Sequence, residues 1–562
     1  MPPVLVRCAW RAGTAFGAFL MSLLADALRA GATALALVAA PLAAFAQQPD
    51  TRPTITVAVQ QISNSNALDV LQEQSNVGAR VFYSIFEPLI DNERQTPELT
   101  PKPGLATAWR RIDDRTLEVT LRQGVKFHDG SEMTSDDVVF TYSPARTGAG
   151  VQRASATTGS DANATQGKLP PPAVTGYFAR LFPNLERVEA VDRYTVRFIN
   201  KIPDVTLEGR LARNGAEILP RAAFDAAADW TAWVRKPVGT GPYRVVEFRA
   251  DNMLVLEAHD EYWGGRPPIK TLRFVVVPEL AARVNGLLSG QYDFITDIPP
   301  DQVATITANN RYEVTGGPVT NHRLLVFDKN HPRLADARIR RALTHAIDRK
   351  LIADTLFDGR VKIPAGLQWE FYGPMFIGNW TTPAYDPALA RRLLREAGYN
   401  GEPIPFRVLN NYYNNQVPTS QILVEMWRQV GINVEIEMKE NWAQIMERSP
   451  TRAMRDWSNS APFNDPVSSL VNQHCPGGFQ QASGEYANEE FNRLCKVLEE
   501  ATDPEIRRSA FARMLEIAER EDPAYTVLHQ TTLLYGKRRD IEWTWSGLQS
   551  MDFRAGNFRI RR

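Results

Sequence analysis

Histidines beside an acid or a thiol are the first residues in this chain that could perform chemistry. His128-Asp129 has the residue types of an acid–base pair, and His474-Cys475 has those of two metal ligands. Neither pair has further candidates at the spacing that a catalytic triad or a metal centre requires. A turn through Gly130 explains the first pair because glycine accepts a positive φ, and His345 lies on an amphipathic helix. We therefore predict no catalytic residue, no metal site and no cofactor.

The segment from Pro237 to Tyr243 carries two glycines, which suggest a nucleotide site. A phosphate loop also needs lysine and serine or threonine where the next helix begins, and neither follows here. Gly239 and Gly241 are therefore predicted to be turn residues before a strand. The sequence contains no G-x-S-x-G, H-E-x-x-H or C-x-x-C motif. A secreted hydrolase stays open as an alternative, but no motif in the sequence supports it.

The elements around these residues alternate between strands and helices. Leu117, Val119 and Leu121 alternate with polar residues, as in a half-buried strand. Thr134 and Asp137 have the spacing of a capping box at a helix start. A second helix is predicted from apolar residues four apart, which are Ile339, Leu343, Ile347 and Leu351. This alternation indicates an α/β fold.

Length and charge limit the classes of protein that are possible. The chain has 562 residues, which exceeds one hydrophobic core and predicts two or three domains. Its 64 basic and 64 acidic residues balance, and no basic block stands out. Nucleic acid is therefore not expected as a partner.

The N-terminal residues 1–46 read as a secretory signal peptide. Three arginines precede an apolar run that ends in Ala44-Phe45-Ala46, a small-x-small cleavage site. Met21 is an alternative start. Residue 47 is Gln and not Cys, so we predict a soluble periplasmic protein and not a lipoprotein. In such an oxidising compartment a disulfide between Cys475 and Cys495 is expected, and two separate buried thiols are the alternative.

Several ordered blocks resemble a known family. The run Gly104-Leu-Ala-Thr-Ala-Trp109 and residues 116–138 resemble the signature region of family 5 extracellular solute-binding proteins, the dipeptide-, oligopeptide- and nickel-binding receptors of ABC importers. Residues 237–243, 262–268 and 336–349 resemble further blocks of that family. The resemblance implies a type II periplasmic binding protein fold of cluster C type, in which two lobes close on a ligand around a hinge and lobe I carries a small inserted domain.

The resemblance also implies where the chain passes from one domain to the next. The crossing strands are expected near residues 316–325 and 525–534. Residues 144–172 are rich in Gly, Ala, Ser and Pro and are predicted to form a mobile surface loop. The expected domains are 1–46 signal peptide, 47–90 lobe I, 91–204 inserted domain, 205–320 lobe I, 321–524 lobe II and 525–562 lobe I.

Ligand-binding residues are implied by three segments that match family positions. One is polar and lies on lobe I, one is rich in Asn and Tyr, and the third resembles the family's block of Trp and Asp-Pro. The expected ligand-binding residues are Gln74, Ser75, Asn76, Asn411, Tyr412, Tyr413, Trp457, Asn459, Phe463 and Asn464.

The third segment departs from the pattern of the peptide receptors. There an acid receives the α-amino group of the peptide, whereas this chain has Pro462 or Ser460 at that position, depending on the alignment. Asp456 or Asp465 would have to replace it. We therefore expect a monomeric receptor that delivers a polar organic solute, with a peptide as the alternative, to an ABC permease. An adaptor that presents its ligand to a membrane sensor shares every one of these features.

Overall fold

The computed structural model describes residues 50–96, 98–150, 167–410 and 412–561. Strands are numbered in chain order. They are β1 (Thr54–Val59), β2 (Ile90–Asn92), β3 (Pro101–Pro103), β4 (Ala106–Arg111), β5 (Thr116–Leu121), β6 (Leu185–Asp192), β7 (Thr195–Asn200), β8 (Tyr243–Arg249), β9 (Met253–Ala258), β10 (Thr271–Val276), β11 (Phe294–Ile295), β12 (Tyr312–Phe327), β13 (Ile404–Leu409), β14 (Val434–Lys439), β15 (Met454–Ser460), β16 (Tyr525–Arg538), β17 (Ile541–Trp543) and β18 (Phe558–Ile560).

Helices connect and cover these strands. They are α1 (Asn76–Ile85), α2 (Ser135–Thr141), α3 (Pro144–Thr147), α4 (Pro172–Leu181), α5 (Leu207–Arg210), α6 (Arg221–Ala226), α7 (Trp230–Arg235), α8 (Leu280–Leu288), α9 (Val303–Thr307), α10 (Ala337–His345), α11 (Arg349–Phe357), α12 (Pro387–Ala397), α13 (Gln416–Val430), α14 (Trp442–Met446), α15 (Leu470–His474), α16 (Phe479–Ala482), α17 (Glu489–Glu500) and α18 (Pro504–Glu516). Short 3₁₀ turns occupy Pro300–Gln302, Glu370–Met375 and Pro466–Ser468, and a π turn occupies Ile517–Glu521.

A mixed sheet of ten strands runs through both halves of the molecule in the order β14-β13-β15-β12-β16-β11-β1-β10-β9-β8. Its two central strands are long and antiparallel. Residues 312–318 of β12 pair with 532–538 of β16, and after an irregular step residues 322–326 pair with 525–530. We call the half that contains β1 and β8–β11 lobe I, and the half that contains β13–β15 lobe II. The strands β12 and β16 join the two lobes, and residues 321–327 of β12, which pair with β15, are counted with lobe II.

Separate apolar cores stabilise the two lobes. Lobe I is packed around Phe82, Phe274 and Phe294, whereas lobe II has one core around Phe406 and Trp427 and another around Leu324 and Phe511. A sheet of four antiparallel strands, β4-β5-β7-β6, lies beside lobe I and shares its core. The predicted α/β fold with two lobes is confirmed. The domain boundaries and the inserted domain stay predictions.

Two local predictions turn out differently. The predicted continuous helix is two helices, α10 and α11, because Asp348 caps the second through the Leu351 N–H and leaves Leu351 half exposed. The loop prediction for residues 144–172 is wrong at its start. There α3 places Arg146 in the interior, where its guanidinium bonds Asp69 at 2.5 Å and lies 5.0 Å from the Trp230 ring. Residues 151–166 and the leader 1–46 lie outside the described residues.

His128 and the two glycines of residues 237–243 form one structural contact. The Gly239 N–H donates to His128 Nδ1 at 3.2 Å, and Nε2 donates to the Gly241 carbonyl at 3.0 Å. A side chain at either glycine would collide with the backbone of Ile85. Burial lowers the pKa of His128 to about 3, so this neutral histidine is part of the packing.

Cys475 and Cys495 are joined by a disulfide that ties α15 to α17, with their Cα atoms 5.8 Å apart. Both cysteines are buried. Replacing both with alanine is expected to lower the free energy of unfolding by about 3 kcal/mol, because the bond closes a loop of about twenty residues in the unfolded chain. Urea unfolding of the double variant and of the reduced parent protein checks this value, and equal midpoints for oxidised and reduced parent would contradict it.

Within the described residues, no helix is both long and apolar enough to cross a membrane.

Candidate functional site

A cavity of about 50 Å³ lies where lobe I meets lobe II beside the two joining strands. Polar and aromatic side chains from both lobes line it. A volume of this size holds a few water molecules, so a larger solute enters only when the lobes separate. The lining residues are Gln60, Asn76, Val77, Arg80, Asp297, Asn321, Arg323, Phe357, Tyr412, Tyr413, Asn414, His529, Thr531, Thr532, Leu533 and Gln549.

Tyr412 and Tyr413 are held in the cavity wall by the first turn of α13. The Gln416 side-chain oxygen accepts the backbone N–H of Tyr412 at 2.9 Å and that of Tyr413 at 3.1 Å. The Tyr413 hydroxyl donates to Ser458 Oγ at 3.1 Å. Burial raises the pKa of Tyr412 to about 12 and raises that of Tyr413 further, so both phenols are neutral. The pair therefore presents fixed rings and hydroxyls.

Arg323 enters the cavity from β12 as one half of a buried ion pair. Its Nη2 donates to both oxygens of Asp456, at 2.5 and 2.6 Å, and its Cζ lies 3.4 Å from the centre of the Tyr413 ring. Gln416 Nε2 donates to the same carboxylate at 2.9 Å. Burial raises the pKa of Asp456 although Arg323 acts in the opposite direction. Asp456 stands behind Arg323, so it is the arginine that faces the cavity.

Arg80 forms a second buried pair on the lobe I side. It lies on α1, and its Nη2 donates to both oxygens of Asp297 at 2.9 Å. Asp297 follows β11 with a left-handed φ of 58°, and it also accepts the Thr296 hydroxyl at 2.5 Å. Arg80 is 3 % exposed. The cavity thus has an arginine from each lobe.

Hydrogen bonds across the cleft hold the two lobes together. Asn76 Nδ2 donates to Ser458 Oγ at 3.2 Å, and Gln60 Nε2 donates to the Tyr412 carbonyl at 3.1 Å. Asn64 Nδ2 donates to the Tyr412 hydroxyl at 3.3 Å. Each bond joins a lobe I side chain to lobe II, so this is a closed arrangement.

Of the predicted polar segment on lobe I, only Asn76 reaches the cavity. Ser75 is the N-cap of α1, where its hydroxyl accepts the Gly78 N–H. Gln74 is exposed, and its amide donates to the Val70 carbonyl. Asn411, the predicted neighbour of Tyr412, lies outside the described residues.

The predicted residues from β15 onward lie elsewhere, because alternate residues of a strand face opposite sides. Asp456, Ser458 and Ser460 face the cleft side. Trp457 and Asn459 face the opposite side, toward the lobe II core around Leu324 and Phe511. There Trp457 stacks on Phe479 at 4.9 Å, and Asn459 bonds His474 at 3.4 Å. Beyond the strand, Phe463 is buried against Gly209 and Asn464 is exposed. We therefore leave Trp457, Asn459, Phe463 and Asn464 out of the site.

The other acid of this region, Asp465, is also paired. Its two oxygens accept Nη1 and Nη2 of Arg507 at 2.8 and 2.9 Å. One of them also accepts the Val467 N–H at the start of the 3₁₀ turn. Both candidates for binding an α-amino group, Asp456 and Asp465, are thus already bonded to arginine.

A larger cavity, of about 510 Å³, lies within lobe I at Glu87. It is lined by four carboxylates, and each already has a bonded partner. The pairs are Glu87 with Thr240, Tyr262, Trp263 and Arg554; Asp91 with Tyr83 and Arg94; Glu93 with Lys102; and Asp552 with Arg554. The smaller cavity is the one of these two that both lobes line, and it is the candidate site.

His474, the one histidine beside a cysteine, is enclosed. Its imidazole bonds Gln480 and Asn459, and burial lowers its pKa to about 3. In the part of the chain that the structure describes, no three His, Cys, Asp or Glu side chains are grouped as a metal site would require.

Comparison with known proteins decides the family. Residues 100–479 match the model of the bacterial extracellular solute-binding proteins, family 5 Middle. The chain belongs to this family. It is 27 % identical to heme-binding protein A of Haemophilus influenzae over 472 residues, which cover 79 % of this chain and 81 % of that protein.

Two solved structures of family 5 type have the same fold. The dipeptide-binding protein of Pseudoalteromonas sp. SM9913, in complex with Met-Leu, superposes with a TM-score of 0.78 at 21 % identity and covers 90 % of this chain and 100 % of its own. The binding protein MoaA of A. tumefaciens R10, in complex with mannopinic acid, superposes with a TM-score of 0.75 at 19 % identity. The match covers 91 % of this chain and 100 % of MoaA.

Four titratable residues line the cavity of this family 5 protein and were not predicted from its sequence. Arg80, Asp297, Arg323 and His529 line it, and none was a candidate. One signal was available for Arg323, which is a charged residue at the predicted crossing, immediately before the apolar run of residues 324–327. A buried arginine requires a partner, and the strand that ends in the predicted Trp segment contained one, Asp456.

Proposed function

We propose that this family 5 protein is a periplasmic receptor that captures a polar organic solute between its lobes and passes it to an ABC-type import permease. The proposal includes export by residues 1–46 as a soluble monomer, no lipid anchor and no catalytic activity. Its support is the inter-lobe cavity, where Asn76 and Arg80 of lobe I meet Tyr412, Tyr413 and Arg323. Hinge closure around a solute would explain why each lobe contributes to one wall.

A zwitterionic peptide is not the solute that we propose. Its α-amino group needs an acceptor that is free to form a charge-assisted bond. Asp456 is bonded to Arg323 and Gln416, and Asp465 is bonded to Arg507. Taking either acid for a peptide would leave a buried arginine without its partner, which costs several kcal/mol. A solute with hydroxyl, amide or acid groups avoids this cost.

Calorimetry tests the solute class. Protein freed of retained solute by unfolding and refolding is titrated with di- to pentapeptides and with their N-acetylated forms. We expect acetylation to change affinity by much less than the roughly tenfold that loss of a charge-assisted bond brings. Native mass spectrometry of the protein purified from the periplasm gives the mass of the retained solute. Tight binding of free peptides that disappears on acetylation would contradict the proposed class.

A further inference from the structure

The donors on the two cavity arginines are not all used. Arg80 Nε and Nη1 and Arg323 Nη1 are buried and have no hydrogen-bond partner in the structure. The opposite is true of the two acids beside them. Both oxygens of Asp456 and both of Asp297 accept hydrogen bonds. At this cavity three guanidinium nitrogens therefore have no partner, whereas every oxygen of the two carboxylates already accepts at least one hydrogen bond.

A buried donor without a partner costs about 1–3 kcal/mol. Other buried arginines, such as Arg146 and Arg455, also have such donors, but they do not line this cavity. Arg80 and Arg323 are 3 % and 4 % exposed, and both line the same cavity from opposite lobes. Guanidinium groups match a planar carboxylate best, since they donate along parallel directions to its two oxygens. A neutral hydroxyl would satisfy one donor but would bring neither the negative charge nor the second parallel acceptor of a carboxylate.

Resting on the proposed receptor function, we infer that the cavity takes a solute through a carboxylate, which Arg80 and Arg323 hold from opposite lobes. Asp297 and Asp456 fix the two guanidinium groups in place by occupying Nη2 of each. Tyr413, stacked on Arg323, keeps that guanidinium in plane. The carboxylate would then join the lobes as Asn76 and Ser458 do, so acid solutes would favour the closed arrangement.

The test compares matched acid and neutral solutes by thermal shift and calorimetry. The pairs are D-gluconate with D-glucitol, D-galacturonate with D-galactose, and the free acids of N-acetylated dipeptides with their amides. The solute extracted from the purified protein is identified by mass spectrometry and assayed in the same way. We expect the acids that bind to do so at least tenfold more tightly than their neutral partners.

Paired variants separate recognition from folding. Two double variants each remove a guanidinium together with the carboxylate that it pairs with: Arg323→Gln with Asp456→Asn, and Arg80→Gln with Asp297→Asn. Each double variant is expected to weaken binding of the acid solute at least tenfold. Arg507→Gln with Asp465→Asn changes a similar buried pair outside the cavity and should leave affinity unchanged. A retained solute without an acid group, or equal binding of acid and neutral partners, would overturn the carboxylate site while the receptor function stands. Binding that depends on a peptide's free N-terminus would instead contradict the proposed solute class.

Discussion

Asp456→Ala is expected to lower the free energy of unfolding by about 3–5 kcal/mol, because it leaves Arg323 as an uncompensated buried charge. Asp456 and Arg323 are 3 % and 4 % exposed, and Arg323 has no second acid among its bonded partners. Removal of the Asp456 carboxylate also frees Gln416, whose amide group links Asp456 to the backbone of Tyr412 and Tyr413. Urea unfolding followed by tryptophan fluorescence measures the change.

Two further variants show whether charge is the cause. Arg323→Met together with Asp456→Leu removes both charges and is expected to recover most of the lost stability, because apolar pairs of similar size replace buried ion pairs at little cost. Asp354→Ala removes an acid from the exposed pair with Lys350 on α11 and should cost less than about 0.5 kcal/mol. If Asp456→Ala proves as mild as Asp354→Ala, Arg323 does not depend on Asp456 in the way the structure indicates.

Periodicity was enough to predict several local elements of the fold. Alternation of apolar residues predicted β5, and the spacing of Thr134 and Asp137 predicted the capping box that begins α2. These patterns are local, since each depends on residues within one turn or one strand. The same kind of reasoning failed between α10 and α11, where a stripe of apolar residues continues although Asp348 starts a new helix.

The site needed information that no local pattern contains. Arg323 and Asp456 are 133 residues apart and meet only because β12 pairs with β15 in one register. A shift of that register by one residue would exchange the two faces of β15. It would place Trp457 and Asn459 at the cleft, as the resemblance implied. The residue type of Trp457 favoured it as a ligand contact, whereas the geometry of the strand places Ser458 at the cleft.

Acidification is expected to destabilise the protein through histidines that are buried or partly buried in the fold. Burial lowers the pKa of His128 and His474 to about 3 and that of His529 to about 4. In the unfolded chain each would titrate near 6.5. The unfolded state therefore binds more protons between these values, so stability is full above about pH 6.5 and falls as the pH drops toward 4.

The expected size of this effect is large. Below pH 6.5 each of the three histidines lowers the free energy of unfolding by about 1.4 kcal/mol per pH unit. At pH 5 the loss is about 2 kcal/mol for each histidine and about 6 kcal/mol for the three together. His474 shows the physical reason. Its Nε2 accepts a hydrogen bond from the Asn459 amide at 3.4 Å, while Nδ1 donates to Gln480. A proton added at Nε2 would therefore point at the N–H donor of Asn459, and the positive charge of Arg455 also opposes protonation.

Urea unfolding at pH 7.5 and pH 5.0 measures the loss, and His474→Asn isolates one histidine from the carboxylates that titrate at lower pH. We expect this variant to be less stable than the parent at pH 7.5 but to lose about 2 kcal/mol less on acidification. His345→Asn is the matched control, because that imidazole is only half buried and bonds a single carbonyl, that of Ala384. It should change the pH dependence much less. Equal losses in the parent and in His474→Asn would mean that His474 gains its proton in the folded state, with Asn459 turning its unpaired oxygen toward the ring to accept it.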